Sequence, residues 1–379
     1  MSGITIRRVS SRAERRTFLT FPWRIYRDDP VWVPPLLPER AKRTDPARGP
    51  FFDHGDAEFF VAWRGKQPVG TICAAEDRRR NTFLGIHDAL FGFFDCVNDY
   101  EVAVALFETA AGWARSHALD ALIGPFNLDY EDSYGIVLEG HGTPQVLLCG
   151  QTPPYYRDLV ERYGFGPGRA GDNIAYRASL EVAPDDPRLQ RYARIAHAAE
   201  RRGHVTVRPA RLDDWNTEID HAVRVLNKGL AVLEGFSPWD RDVFAEHAEA
   251  LRAIMDPDLV IFGQVDGEPV GWVLGLPNLN EAVQKADGLR HAWDYGRLWW
   301  HARKQPECVC FKSIAVDPAY WGRGVDAAMV WALVRASIAK GYKWMDLSLT
   351  SSDNPMTPLL AERMGAELYR RYRVYRLGL

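Results

Sequence analysis

The sequence predicts two similar α/β domains in tandem, and three observations point there. A chain of 379 residues is about twice the size of an ordinary domain, and 46 % apolar against 26 % charged residues is enough for two cores. The segment FKSIAVDPAYWGRGVDAAMVWALVRASIAKGYKWMDLSL at residues 311–349 reads as strand, glycine-rich turn, helix and strand. Motifs of the first half also return in the second: ITIRRVS at residues 4–10 is echoed by HVTVRPA at 204–210, and EFFVAWRGKQPVGTICA by LVIFGQVDGEPVGWVLG. A repeat spaced at this distance is too long for a solenoid, so it reads as a duplicated domain.

In chain order, residues 4–9 alternate as a first strand, and Ser11 with Glu14 has capping-box spacing for a helix start. FPWRIYRDDPVWVPPLL at 21–37 holds too much proline for a helix or inner strand, so Phe21, Trp23, Tyr26 and Trp32 should anchor an ordered loop on a core or over a cleft. Residues 59–74 form a hairpin around Gly65, and Arg78, Arg79 and Arg80 read as a solvated face. Strand 89–96, helix 100–117 and strand 119–124 repeat the later strand, helix, strand order. Asp95, Val97 and Asn98 stand where the second copy has glycines, so this turn lacks a phosphate cradle. The carboxylates of GPFNLDYEDSYG at 124–135 read as exposed loop chemistry, with an amine or metal site as the alternative. A helix at 153–163 and a strand at 173–180 close the first half.

EVAPDDPR at 181–188 has linker composition, and a connecting helix runs over 189–202. The predicted division is 1–181, 182–203 and 204–379. The second half then repeats the plan: helices from Asp213 and from Asp240, a hairpin at 260–274 around Asp266 and Gly267, and the 311–349 segment.

Net charge −3 and pI 6.4 give no general reason to expect nucleic acid. Cys73, Cys96, Cys149, Cys308 and Cys310 have neither zinc-ribbon nor CxxC spacing and read as core thiols. With neither a leader-like start nor a long apolar run, the expected protein is cytoplasmic, without a membrane partner, and a monomer or homodimer. The ten histidines show no metal spacing, and the absence of Gly-x-Ser-x-Gly and of a P-loop ending removes hydrolase and nucleotide-hydrolysis readings. The turn at 321–325 can leave N–H groups free at a helix start, which suits a phosphate; packing glycines are the alternative.

VDPAYWGRGVDAAMVWAL, followed by Asp353, Asn354 and the MGA at 364–366, resembles the acyl-coenzyme A-binding core of the GCN5-related N-acetyltransferase (GNAT) superfamily. FGFFD, GPFN, DLVIFGQVDGEPVGW, YWGRGVDA and YRRYRVY are similar to segments of a bacterial subgroup with two such domains in one chain. The resemblance implies a mixed central sheet flanked by helices in each domain, with acetyl-CoA or another acyl-CoA held by the second domain and no cofactor site in the first. On this sequence the implied cofactor residues are Ile314, Val316, Trp321, Gly322, Arg323, Gly324, Val325, Asp326 and Asn354. Trp321 and Asp326 depart from the superfamily pattern, and the tyrosine that serves as acid in many relatives is replaced by Ala361 here and Val160 in the first half.

Tyr369 and Tyr372 are the substitute acids, expected on opposite strand faces with Tyr375 rejoining Tyr369. Glu234 and Asp240 are the candidate carboxylates for the acceptor, with Asp353 a helix cap or an amine ligand. The implied function is transfer of an acetyl or other acyl group from coenzyme A to a small amine. The alternatives are a non-catalytic binding or interaction protein on the same fold, and a longer-acyl or aminoacyl transferase.

Overall fold

The structure is a computed structural model describing residues 3–183, 185–232, 238–354 and 356–379. Its strands are β1 (Ile4–Arg8), β2 (Gly55–Arg64), β3 (Gln67–Asp77), β4 (Asp88–Cys96), β5 (Ala121–Gly124), β6 (Phe126–Asn127), β7 (Asp129–Tyr134), β8 (Ile136–Glu139) and β9 (Gly166–Pro167). They continue as β10 (Asn173–Ser179), β11 (Val205–Pro209), β12 (Val260–Val265), β13 (Glu268–Pro277), β14 (Cys308–Val316), β15 (Trp344–Ser351), β16 (Glu367–Arg373) and β17 (Tyr375–Gly378). Two mixed sheets result, ordered β1-β2-β3-β4-β5-β17-β9 and β11-β12-β13-β14-β15-β10-β16-β8, with β6 and β7 forming a small hairpin of their own.

The duplication is visible strand by strand. The β1-β2-β3-β4 meander matches β11-β12-β13-β14, and each set is followed by one parallel partner, β5 or β15. The helix Tyr100–Ser116 packs on the first sheet, buried through Val102, Leu106, Phe107 and Ala110 at helical spacing. The helix Val325–Ala339 takes the same place on the second sheet, and the connecting helix Pro187–Gly203 lies beside it.

The ends of the two halves are exchanged. β10, expected to close the first domain, pairs between β15 and β16 of the second sheet. β17, the last strand of the chain, enters the first sheet between β5 and β9, with Tyr375 fully buried there. No single cut near residues 182–203 therefore separates the sheets. Local pattern identified the strands, but pairing partners are set by tertiary packing that local pattern does not encode.

The proline-rich segment at 21–37 is ordered, as its aromatics suggest, but Pro22–Ile25 form one helical turn, which a proline in the first turn permits. Phe21, Trp23 and Tyr26 are buried, and Tyr26 stacks on Trp32 with ring centroids 4.9 Å apart. All five cysteines are buried and free.

Candidate functional site

The site forms where the second sheet comes apart. β14 and β15 pair in parallel only from Cys308 to Phe311 against Trp344 to Leu347. Lys312 is the extra residue of a bulge against β13, because Phe311 faces Gly275 and Ser313 faces Leu274. A bulge bends its strand. Past it β14 keeps its bonds to β13 but loses β15, leaving a wedge flanked by Ile314 and Val316 on one side and Leu349 to Ser351 on the other, all half-buried.

At the mouth of the wedge lies the glycine turn. Trp321, Gly322 and Arg323 are exposed, and Gly322 and Gly324 have φ of 75° and 81°, a conformation glycine adopts without strain. The N–H of Arg323 reaches Tyr320 and that of Ala328 reaches Gly324, so among the described residues the N–H groups of Gly322, Gly324 and Val325 have no protein acceptor. Together with the helix dipole they make an anion cradle. A Cβ on Gly322 would meet nothing within 4 Å, whereas one on Gly324 would lie 2.9 Å from the Ala199 side chain of the connecting helix. The turn is thus backed on one side and open on the other.

Two residues qualify this cradle. The Trp321 indole donates to the Val316 carbonyl at 3.0 Å, occupying one of the backbone groups expected to face a cofactor. Asp326 is exposed in the first turn of the helix, where its carboxylate competes with a phosphate for the same dipole. The turn still fits the pyrophosphate of an acyl-CoA through its free N–H groups, its open Gly322 face and exposed Arg323.

The base of the wedge holds a buried polar network. Lys312 Nζ lies 2.8 Å from Ser348 Oγ, 3.2 Å from Asp346 Oδ2 and 3.7 Å from Cys149 Sγ. Ser348 Oγ donates to Asp346 Oδ2 at 2.5 Å, and Tyr369 OH donates to Asp346 Oδ1 at 2.8 Å. Burial opposes the charged form of Lys312, but Cys149, Asp346 and Cys310 favour it and hold the ammonium above the usual lysine range. Burial, reinforced by Asp346, raises Tyr369 well above an ordinary phenol, and burial also raises the Cys149 thiol despite Lys312. At neutral pH Lys312 is therefore an ammonium, and Tyr369 and Cys149 keep their protons.

Cys149 reaches this network because Arg370, itself fully buried, ties down the segment that carries it. Arg370 donates to the carbonyls of Gly140, Thr143 and Gly150, to Tyr372 OH and, at 2.5 Å, to Gln151 Oε1.

The remaining expected residues are scattered. Tyr369 and Tyr372, expected on opposite faces, join one cluster because Tyr369 is skipped in the pairing of β16 with β10, which breaks the alternation. Tyr372 is fully buried, with its hydroxyl shared by Arg370 and the Gly150 carbonyl. Tyr375 does not rejoin Tyr369: it lies in the other sheet and donates to Glu161. Asp240 is exposed and caps the helix Arg241–Arg252, accepting the N–H groups of Asp242 and Val243. Asp353 accepts the Gly171 N–H at 2.6 Å. Asn354 bonds Thr350 Oγ1 at 3.3 Å beside the open end of β15. Glu234 lies outside the described residues. Lys312 and Asp346 were not among the candidates, although a single charge inside CVCFKSIAV and another inside WMDLSL were signals in plain view.

The equivalent opening in the first sheet is filled by the protein itself. β4 pairs with β5 only over Asp88 to Leu90. Beyond, the Phe93 N–H donates to Asn127 Oδ1, the Cys96 N–H donates to Tyr156 OH, and the Cys96 carbonyl accepts from Tyr155 OH. A Cβ on Gly92 would overlap the Phe126 carbonyl. The following helix is capped by Asp99, whose carboxylate accepts the Glu101 N–H and pairs with Arg64 at 2.6 Å.

A doubled mixed sheet, with a parallel strand pair that parts beside a glycine turn opening a helix, is an acetyltransferase architecture. Residues 229–366 match the model of the acetyltransferase (GNAT) family. A protein of Caulobacter vibrioides named bacterial ceramide synthase is 30 % identical over 98 % of this chain and 96 % of its own length. Protein YghO of Escherichia coli is 26 % identical over 98 % and 94 %. Among solved structures, a tandem GNAT protein from the clavulanic acid biosynthesis pathway superposes with a TM-score of 0.58 at 10 % identity, covering 99 % of this chain and 98 % of that one. A GCN5-related N-acetyltransferase from Sphaerobacter thermophilus gives 0.53 at 14 %, covering 99 % and 95 %. The chain belongs to the GNAT family of acyltransferases and carries that fold twice.

Proposed function

We propose that this protein is an acyl-CoA-dependent N-acyltransferase whose cofactor site lies in the second sheet alone, the first having closed its wedge with Asn127, Tyr155 and Tyr156. The observation that carries the reading is the parting of β14 from β15 beside the open N–H groups of the Gly322 to Val325 turn. Ile314 and Val316 would flank the pantetheine arm, and the turn with Arg323 would hold the pyrophosphate. An acyl-CoA bound there supplies an activated thioester carbonyl. Lys312 is a buried ammonium donor at the base of the wedge, able to stabilise negative charge that develops beside it. Asp346 and Ser348 hold that ammonium in place, and Tyr369 contributes its proton-bearing hydroxyl through the same carboxylate.

The acceptor we propose is an amine. A relative alike over nearly the whole chain is named a ceramide synthase, and a ceramide is a long-chain amine acylated on nitrogen. That favours an amine on a long aliphatic chain and an acyl group longer than acetyl. The second reading, a binding protein without catalysis, draws on the Trp321 bond to Val316 and on Asp326 at the turn.

The test is calorimetric titration with acetyl-, octanoyl- and palmitoyl-CoA, with coenzyme A release then followed in the presence of a long-chain amino alcohol. The exposed Arg323→Glu change should weaken binding of every acyl-CoA about tenfold. Tyr369→Phe and Lys312→Met should lower kcat by about 10²-fold with binding retained. Binding without any coenzyme A release would favour the second reading, and no binding at any chain length would refute the first.

A further inference from the structure

A short helix just before β14 in the chain carries an aromatic surface that nothing in the fold covers. The segment RHAWDYGRLWWHARK spans residues 290–304, and its helix runs Asp294–His301. At 3.6 residues per turn, Asp294, Leu298 and His301 share one face and Tyr295, Trp299 and Trp300 the other. Asp294 is fully buried and accepts the His291 N–H at 2.8 Å, fixing the inner face. On the outer side Trp293, Tyr295, Trp299 and Trp300 are 63 %, 54 %, 57 % and 61 % exposed. With roughly 150–250 Å² per aromatic side chain, these rings present on the order of 400 Å² of surface to solvent. Patches of that size mark interaction surfaces.

The charges around the rings identify the partner. Arg290, Arg303 and Lys304 are exposed, and Arg303 lies 3.4 Å from the Trp299 ring centroid, while Arg297 pairs with the buried Asp294 at 3.3 Å. The acid of the segment, Asp294, faces inward, so the outer face is cationic and aromatic with no exposed carboxylate. Tryptophan and tyrosine beside arginine and lysine match a lipid headgroup layer, where rings sit at the boundary and cations meet phosphates. Leucine and isoleucine, which would suit a dry protein core, are missing from the outer face.

We propose that this face docks on the surface of an anionic lipid bilayer, holding the protein peripherally. No helix among the described residues is long and apolar enough to cross a membrane, and peripheral docking requires none. It departs from the sequence-based expectation of no membrane partner. The inference does not rest on the acyltransferase reading, although a surface-bound enzyme would meet an acceptor with a long aliphatic chain where that acceptor resides.

The full chain should be sedimented with vesicles of phosphatidylcholine, and with vesicles in which about one-third of the lipid is phosphatidylglycerol. Three cations near the surface predict about 100-fold tighter binding to the anionic vesicles, falling with added salt. Trp299→Ala with Trp300→Ala should weaken that binding at least about tenfold. Arg303→Glu with Lys304→Glu should abolish the preference for anionic lipid while the far-ultraviolet spectrum and melting temperature stay at the parent values. Tryptophan emission should shift to the blue on vesicle addition and be quenched by brominated lipid. Equal binding to both vesicle types, unchanged binding by both variants, or a dimer in sedimentation velocity that the tryptophan variant converts to monomer would overturn the proposal. The last result would assign the face to a second copy of the chain instead.

Discussion

Replacing Lys312 by methionine tests whether the network at the base of the wedge is as dry as its geometry implies. The side chains of Lys312 and Asp346 are 8 % and 0 % exposed, and their charged atoms lie 3.2 Å apart. At an effective dielectric constant of about 20, unit charges at that separation attract by about 5 kcal/mol. Methionine keeps the length of the chain, so the change removes the cation with little loss of packing. The Asp346 carboxylate is then left with hydroxyl donors from Ser348 and Tyr369 but no cation, which should cost about 3–5 kcal/mol. Asp346→Asn alone strands the ammonium and should cost a similar amount. The double variant should lose about 2 kcal/mol or more less than the two single losses combined. Urea midpoints at pH 7.5, followed by circular dichroism, measure all three. Single losses below about 1 kcal/mol, or strict additivity, would refute the buried pair. The sign with pH is fixed as well. A lysine raised in the folded state contributes stability that is complete below its ordinary value near 10.5, so the loss in Lys312→Met should be constant from pH 7.5 to 9.

Further outcomes follow from other parts of the fold. Gly92→Ala should destabilise the protein by about 3 kcal/mol or more, read from its thermal midpoint, since a Cβ has no room against the Phe126 carbonyl. Burial, and then the neighbouring Arg370, hold His141 below the usual histidine value, so the unfolded chain takes up the proton first as pH falls through about 6.5; stability should drop there, and less so in His141→Gln, when melting is compared at pH 7.5 and 5.5. Residues 204–379 expressed alone lack β10 and the segment around Cys149, so they should show no cooperative unfolding until residues 1–203 are co-expressed. Independent cooperative melting of the fragment would refute that coupling.

The sequence made the repeated meanders legible because each is local: a short alternating strand, a polar two-residue turn, and a Pro-Val-Gly start to the next strand all lie within one hairpin. The glycine turn was legible for the same reason, since positive φ at Gly322 and Gly324 leaves a local trace. The exchange of β10 and β17 left no such trace. Both segments read as strands, yet which sheet a strand joins is decided by partners about 150 to 250 residues away. The polar network was half legible, because Lys312 and Asp346 interrupt apolar strands, whereas Cys149 enters only through a segment anchored by Arg370. The expected opposite faces of Tyr369 and Tyr372 failed at the skipped Tyr369, and that of Tyr375 at the exchange of β17.

The exchange gives a physical reason for the first half to persist after its own wedge has closed. β10 lies directly beside β15, the strand whose departure from β14 opens the second wedge. Its backbone bonds to β15 run the length of the strand, from Asn173 opposite Ser351 to Ser179 opposite Trp344. β15 is therefore held on its far side along the stretch where it is free on its near side. A strand detached from one neighbour and unsupported by the other would be an edge, mobile and prone to pair elsewhere. The first half also delivers Cys149 to Lys312, fixed by a guanidinium that spends its donors on Gly140, Thr143, Gly150 and Gln151. Loss of the first half would thus remove both the rigid wall of the opening and part of the polar network at its base, which is why a half with no opening of its own remains part of the site.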